Sequence, residues 1–180
     1  MSRPPRARAS VLDAFEQILI ADSERAATMD AVARAAGVSK GGLLYHFASK
    51  DALEAGMIDR LDELVDEDVS AIGAAPEGPV SYFLRSSVLT ADPLDRAMLA
   101  VSRLAQGGSA AAGTALQRMR GRWADVLRPH VRDQAALDLV LLVSDGLYFN
   151  NLLEDGAATL VPADADLEAL IALVLRAVDA

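Results

Sequence analysis

Lys40-Gly41-Gly42-Leu43 places side by side groups that proteins use on double-stranded DNA. The Lys40 ammonium can donate to guanine O6 and N7 or to a phosphate. Gly41 and Gly42 let a backbone lie close against another surface, at a cost of about 1 kcal/mol each in helix propensity relative to alanine. The N-terminus of the helix they open favours a phosphate. Leu43 can meet a thymine methyl or pack inward.

The elements that must hold these groups follow from the flanking residues. Thr28 is a good N-cap, with Asp30 in the first turn, where the helix dipole favours an acid. Met29, Val32, Ala33 and Ala36 form an inward face, Gly37 can adopt the left-handed conformation that ends a helix, and Val38 can pack back. Ser39 caps a second helix over 40–46, and Ser49 caps a third with Lys50 and Asp51 in its first turn. Two short helices joined by a turn containing glycine form the helix-turn-helix pattern, whose second helix enters the major groove.

The rest of the chain reads as helices. Residues 1–8, with two prolines and three arginines, are expected to be an unstructured arm, frayed or reaching into a minor groove. Val11, Leu12, Phe15, Ile18 and Leu19 predict a helix over 9–21. The third helix of the head runs long, through Leu53, Met57, Leu61, Val65 and Ile72, to a Gly- and Pro-dense linker at 73–79. Further helices are expected from 80 to about 90, from 94 to 104, over 110–127 and over 134–153, followed by a loop at 154–165 and a last helix at 166–178. The helix at 134–153 is apolar on nearly every face, which predicts burial on every side. The expected fold is all-α with about nine helices: a helix-turn-helix domain over 1–50 and a larger helical domain over 51–180.

Composition agrees. Apolar residues make up 52% and aromatics 4% of the 180 residues, a balance that favours helices over strands. There is no cysteine, which excludes disulfides, thiolate metal sites and a cysteine nucleophile. His46 and His130 are the only histidines, so a catalytic constellation is hard to build; neither an enzyme, a metal site nor a cofactor is expected. No stretch reads as a secretory signal, and no apolar run approaches the roughly 18–20 residues of a membrane helix. A cytoplasmic protein with no membrane partner is expected. The net charge of −9 is uneven, +2 over residues 1–50 and −11 over 51–180. A mildly basic head on an acidic body suggests DNA binding confined to the head, although an acidic body also serves solubility.

Residues 28–53 resemble the TetR family of one-component bacterial repressors. The matching residues are Thr28, Ala33, Ala36-Gly37-Val38-Ser39, Gly41, Leu44-Tyr45, Phe47, Ser49-Lys50 and Leu53, without a gap. Tyr45-His46-Phe47 and Asp145-Gly146-Leu147 are most similar to multidrug-type members. The resemblance implies that Thr28, Ser39, Tyr45, His46 and Lys50 hold phosphates, while Leu44 and Phe47 are expected in the core. It also implies a homodimer through the last two helices, 134–153 and 166–178, an effector pocket in the larger domain, and a repressor released from a near-palindromic operator by a small, largely apolar molecule. The alternative is a DNA-binding regulator governed by a protein partner or by nothing.

Candidate residues for such a pocket are Phe83, Met98, Met119, Trp123, Tyr148 and Phe149, with Arg103 and Asp145 among the polar anchors; Met and aromatic residues at helical spacing serve equally as core. Asp145 in an apolar helix needs a partner: a cationic ligand, an arginine from the 118–132 cluster or a backbone donor. The helix starting at Lys50 belongs to both expected domains, so a ligand that tilts it would change the spacing of two heads.

Overall fold

The structure, a computed structural model, describes residues 4–88, 92–152 and 160–179. Among these residues nine α-helices and one 3-10 turn carry the chain, and no strand occurs. They are α1 (Pro4–Ala21), α2 (Met29–Ala35), α3 (Lys40–His46), α4 (Lys50–Ala74), α5 (Pro79–Ser86), α6 (Pro93–Gln106), α7 (Ala110–Leu127), the 3-10 turn Arg128–His130, α8 (Gln134–Leu152) and α9 (Asp164–Val178). The all-α expectation holds. Residues 1–3 of the expected arm, the expected helix end at 89–90, and Leu153 with residues 154–159 of the expected loop lie outside the described residues.

One expected element is corrected. Residues 4–8 are not an unstructured arm but the first turns of α1. Proline suits a helix start, because the N–H it lacks would have no partner there and its fixed φ is already helical.

The helices form two compact units, residues 1–65 with 92–119 and residues 66–91 with 120–180. In the first, α1 packs on α2, α3 and α6. Val11, Leu12, Phe15 and Leu19 bury one stripe of α1 together with Val32, Leu43, Phe47, Leu53, Met57, Leu61, Val101 and Leu104. The helices come close at Gly56 of α4, where a Cβ would stand 2.8 Å from Phe47 Cε1 and 3.2 Å from Leu12 Cδ2.

Glu16, on α1, is buried, and a buried carboxylate is costly unless paired. It accepts from Arg60 Nη1 of α4 at 3.1 Å and from Arg96 Nε of α6 at 2.7 Å. Arg60 also reaches Asp13 at 2.8 Å. The apolar packing of α1, α4 and α6 is thereby fixed by one polar node.

In the second unit, α5 packs on α8 and α9, and α8 packs on α9. Val80, Phe83 and Leu84 of α5 meet Leu137, Val140, Leu141, Leu147, Ile171 and Val174 in one apolar cluster. Asp133 caps α8 by accepting from the Ala136 N–H at 2.8 Å. That bond, with Arg132 beside it, holds the Asp133 carboxyl below the usual carboxylate range. Arg85 grips Glu168 with two bonds of 2.7 and 2.6 Å, linking α5 to α9.

The expectation that the 134–153 helix is buried on all sides is not met within one chain. Leu137, Val140, Leu141 and Leu147 are buried, but Leu142 is 64%, Phe149 60% and Leu139 38% exposed. Leu173 of α9 is 56% exposed. No helix of the described residues is long and apolar enough to cross a membrane.

Candidate nucleic-acid interface

The head is built from three capped helices. Thr28 Oγ1 accepts from the Ala31 N–H at 3.2 Å, Ser39 Oγ from Gly42 at 3.0 Å and Ser49 Oγ from Ala52 at 3.1 Å. A capping hydroxyl uses one acceptor lone pair and keeps its O–H proton free to donate. Thr28 and Ser39 are exposed, so each combines a cap with a donor available to a phosphate.

The turn between α2 and α3 depends on Gly37, whose φ of +67° is left-handed. The Val38 N–H then bonds back to the Ala33 carbonyl at 3.0 Å and closes the end of α2. From this turn α3 presents two faces. Leu43 and, one turn on, Phe47 are buried; Lys40, Gly41, Leu44 and Tyr45 point outward.

Here the structure settles one open choice and corrects one expectation. Leu43, for which the sequence leaves a thymine methyl and inward packing both open, has no exposed surface and packs inward, and Leu44, expected in the core, is 41% exposed. The phase of α3 is set by Phe47, which pairs inward with the residue four positions before it. The apolar residue on the outward face is therefore Leu44.

Tyr45 is 84% exposed and its ring meets His46 edge-on, with centroids 5.1 Å apart. A large aromatic left so open packs on nothing in the core. Gly41 is also open: a Cβ there would meet only Ser39 Oγ, at 4.0 Å. Nothing inside the molecule excludes a side chain at 41. Gly42 is tighter, with Ser39 Oγ at 3.3 Å.

The two lysines have partners. Lys40 is paired across the turn with Asp30 at 3.0 Å in a solvent-exposed contact. Lys50 donates to the Glu24 carbonyl at 2.8 Å and pairs with the Glu24 carboxylate. Arg8 lies over the Phe47 ring at 5.1 Å, a cation–π contact that steadies the back of α3. Glu24 and the Arg8–Phe47 contact went unnoticed in the sequence because each depends on residues 26 or more positions apart.

The candidate effector residues are divided between the units. Met98, Arg103 and Met119 belong to the first, and Phe83, Trp123, Asp145, Tyr148 and Phe149 to the second. Phe83 and Trp123 do meet, with ring centroids 5.5 Å apart, and Trp123 Nε1 donates to Asp68 at 2.8 Å. Asp145 pairs with Arg120 at 2.6–2.8 Å, which selects the arginine cluster among its three possible partners. Phe149 and Arg103 are exposed, Met119 is buried, and Met98 and Tyr148 are half-buried. Among the described residues no group of three His, Asp or Glu could hold a metal.

A three-helix head with a glycine turn and an outward donor-bearing second helix, on an all-helical body, defines a helix-turn-helix transcriptional regulator. Residues 11–55 match the bacterial regulatory proteins of the tetR family. The whole chain shares the fold of solved regulators. Salmonella enterica GusR is 18% identical, with 99% of this chain and 98% of that one covered and a TM-score of 0.69. A TetR-like transcriptional regulator from Rhodococcus sp. RHA1 is 19% identical over 98% and 97%, at 0.62. The multidrug binding protein EbrR, complexed with imidazole, is 20% identical over 96% and 95%, at 0.60. No curated relative matches by sequence. The head matches the DNA-binding segment of tetR-type regulatory proteins, and the chain shares the fold of solved regulators of that type.

Proposed function

We propose that the protein is a homodimeric repressor that holds a near-palindromic operator and releases it when a small, largely apolar molecule binds the helical body. The outward face of α3 carries this reading: Lys40, Gly41, Leu44 and Tyr45 are presented together, and Gly41 and Tyr45 have no explanation inside the chain. Lys40 and Leu44 read base edges, Gly41 lets the backbone into the groove with Gly42 beside it, and Thr28, Ser39, Tyr45 and His46 hold phosphates. Leu43 supports the helix from behind. The open apolar stripe of Leu139, Leu142 and Phe149 on α8, with Leu173 on α9, suits a second copy, since apolar side chains this exposed mark an association surface.

A second reading has an observation in its favour. Phe83 packs on Trp123, whose Nε1 donates to Asp68, as expected if the body is filled by its own side chains and answers to a protein partner or to nothing.

Selecting genomic fragments with the purified protein and footprinting them tests the first reading. Two inverted half-sites one helical turn apart, about 34–36 Å, are expected. A single unrepeated half-site, or a monomeric protein on DNA, would overturn the dimer. Adding apolar compounds to the complex then separates the two readings. A 100-fold loss of operator affinity corresponds to about 2.7 kcal/mol of coupling; no loss with any compound favours the second.

A further inference from the structure

Glu24 lies in the connection between α1 and α2 and touches two other elements at once. On one side Lys50 Nζ, at the start of α4, donates to the Glu24 carbonyl at 2.8 Å and pairs with the Glu24 carboxylate. On the other, the end of α6 presses on the aliphatic part of the same side chain. A Cβ at residue 107 would stand 3.1 Å from Glu24 Cβ and 3.0 Å from Glu24 Cγ.

Gly107 has φ −73° and ψ −4°, which any residue can adopt. The conformation does not require glycine; the space beside Glu24 does. The residue of that turn whose backbone needs glycine is Gly108, at φ +102°.

The two lysines of the head are therefore held differently. Lys40 and Asp30 are about 60% exposed, and a pair so open is weak and exchanges readily for a phosphate. Lys50 and Glu24 are only 31% and 25% exposed, and both acceptors of Lys50 belong to one residue. Water screens this pair less, and a phosphate that takes Lys50 must displace two acceptors of Glu24 at once.

We propose that Glu24 stands in for a DNA phosphate, withholding Lys50 from the duplex, and that the turn at Gly107 keeps Glu24 in that position. Lys50 joins the phosphate contacts only when the end of α6 releases Glu24. The other end of α6 is tied to the head through Arg96 and Glu16, so α6 is anchored at both ends and its displacement acts directly on the latch. The proposal rests on DNA binding by the head.

The test is the salt dependence of binding to a selected genomic duplex by the full-length protein, since each phosphate neutralised adds about −0.9 to the slope of log K against log salt. Lys50→Ala alone should leave the slope of the wild type unchanged. Glu24→Gln should steepen it by about 0.9 per subunit, and Glu24→Gln with Lys50→Ala should restore it. Gly107→Ala, which leaves both charged partners intact, should steepen it as Glu24→Gln does. Thermal unfolding of each variant establishes that it is folded. A shallower slope for Lys50→Ala alone, or an unchanged slope for Glu24→Gln, overturns the latch. A wild-type slope in Gly107→Ala overturns the part given to the turn. Loss of all DNA binding by the wild type would overturn the role of the head instead.

Discussion

Replacing Leu43 and Leu44 by alanine in turn separates folding from recognition on one short helix. Leu43 is fully buried between α3 and the rest of the head, so Leu43→Ala should cost about 2–5 kcal/mol, the range for core leucines. In a chain of 180 residues that is a fall of about 4–20 °C in melting temperature. Leu44 is already 41% exposed, so its truncation changes little in the free protein. Full burial of a leucine is worth about 1.5–3 kcal/mol, so covering the exposed 41% on DNA contributes about 0.6–1.2 kcal/mol per head. Over two heads, Leu44→Ala should weaken operator binding about 8- to 60-fold, with an unchanged melting temperature. Circular dichroism melts and binding titrations on the same preparations report both quantities. A Leu44→Ala protein that melts as early as Leu43→Ala, while its folded fraction binds normally, would refute the assignment of the two faces.

Two further perturbations probe other parts of the molecule. Gly41→Ala adds a methyl to open space and regains up to about 1 kcal/mol of helix propensity, so the melting temperature should hold or rise while DNA affinity falls; wild-type affinity would remove the backbone approach at 41. Glu168 has its carboxyl held below the ordinary glutamate range by its hydrogen bonds to Arg85. Its folded value is depressed, so its contribution is complete above the ordinary range and is lost as pH falls through the folded value. Glu168→Gln should therefore lower the melting temperature modestly at pH 7 and not at strongly acidic pH; an equal difference at every pH would refute the pairing.

Local chemistry in the head was legible because each device occupies only a few residues. Thr28, Ser39 and Ser49 cap helices whose N–H groups lie three positions away, and Gly37 ends the helix that precedes it. Periodicity failed where it had too little length to act on. α3 spans seven residues with adjacent leucines, and spacing alone does not tell which of Leu43 and Leu44 turns inward. Polar nodes between distant segments were not legible: Glu16 draws on Arg96, eighty residues away, and Glu24 on Lys50 and Gly107. Asp145 was recognised as needing a partner, but only the packed unit shows that the partner is Arg120. Residue type alone does not separate Phe149, which is exposed, from Phe83, which is buried, so a pocket lining is not legible from aromatic and Met residues.

The packing of α6 on α1 has a consequence for how the protein is made. α1 leaves the ribosome early, but its partner begins at Pro93, 72 residues after α1 ends at Ala21. At about 5–20 residues per second, α1 waits about 4–14 s for the helix that covers it. The residues that read DNA are complete by Lys50, yet the unit that contains them is not. A fragment cut before Asp92 carries every proposed DNA contact on a first helix that lacks α6, and newly made chains pass through that same uncovered state, in which chaperones find exposed apolar surface.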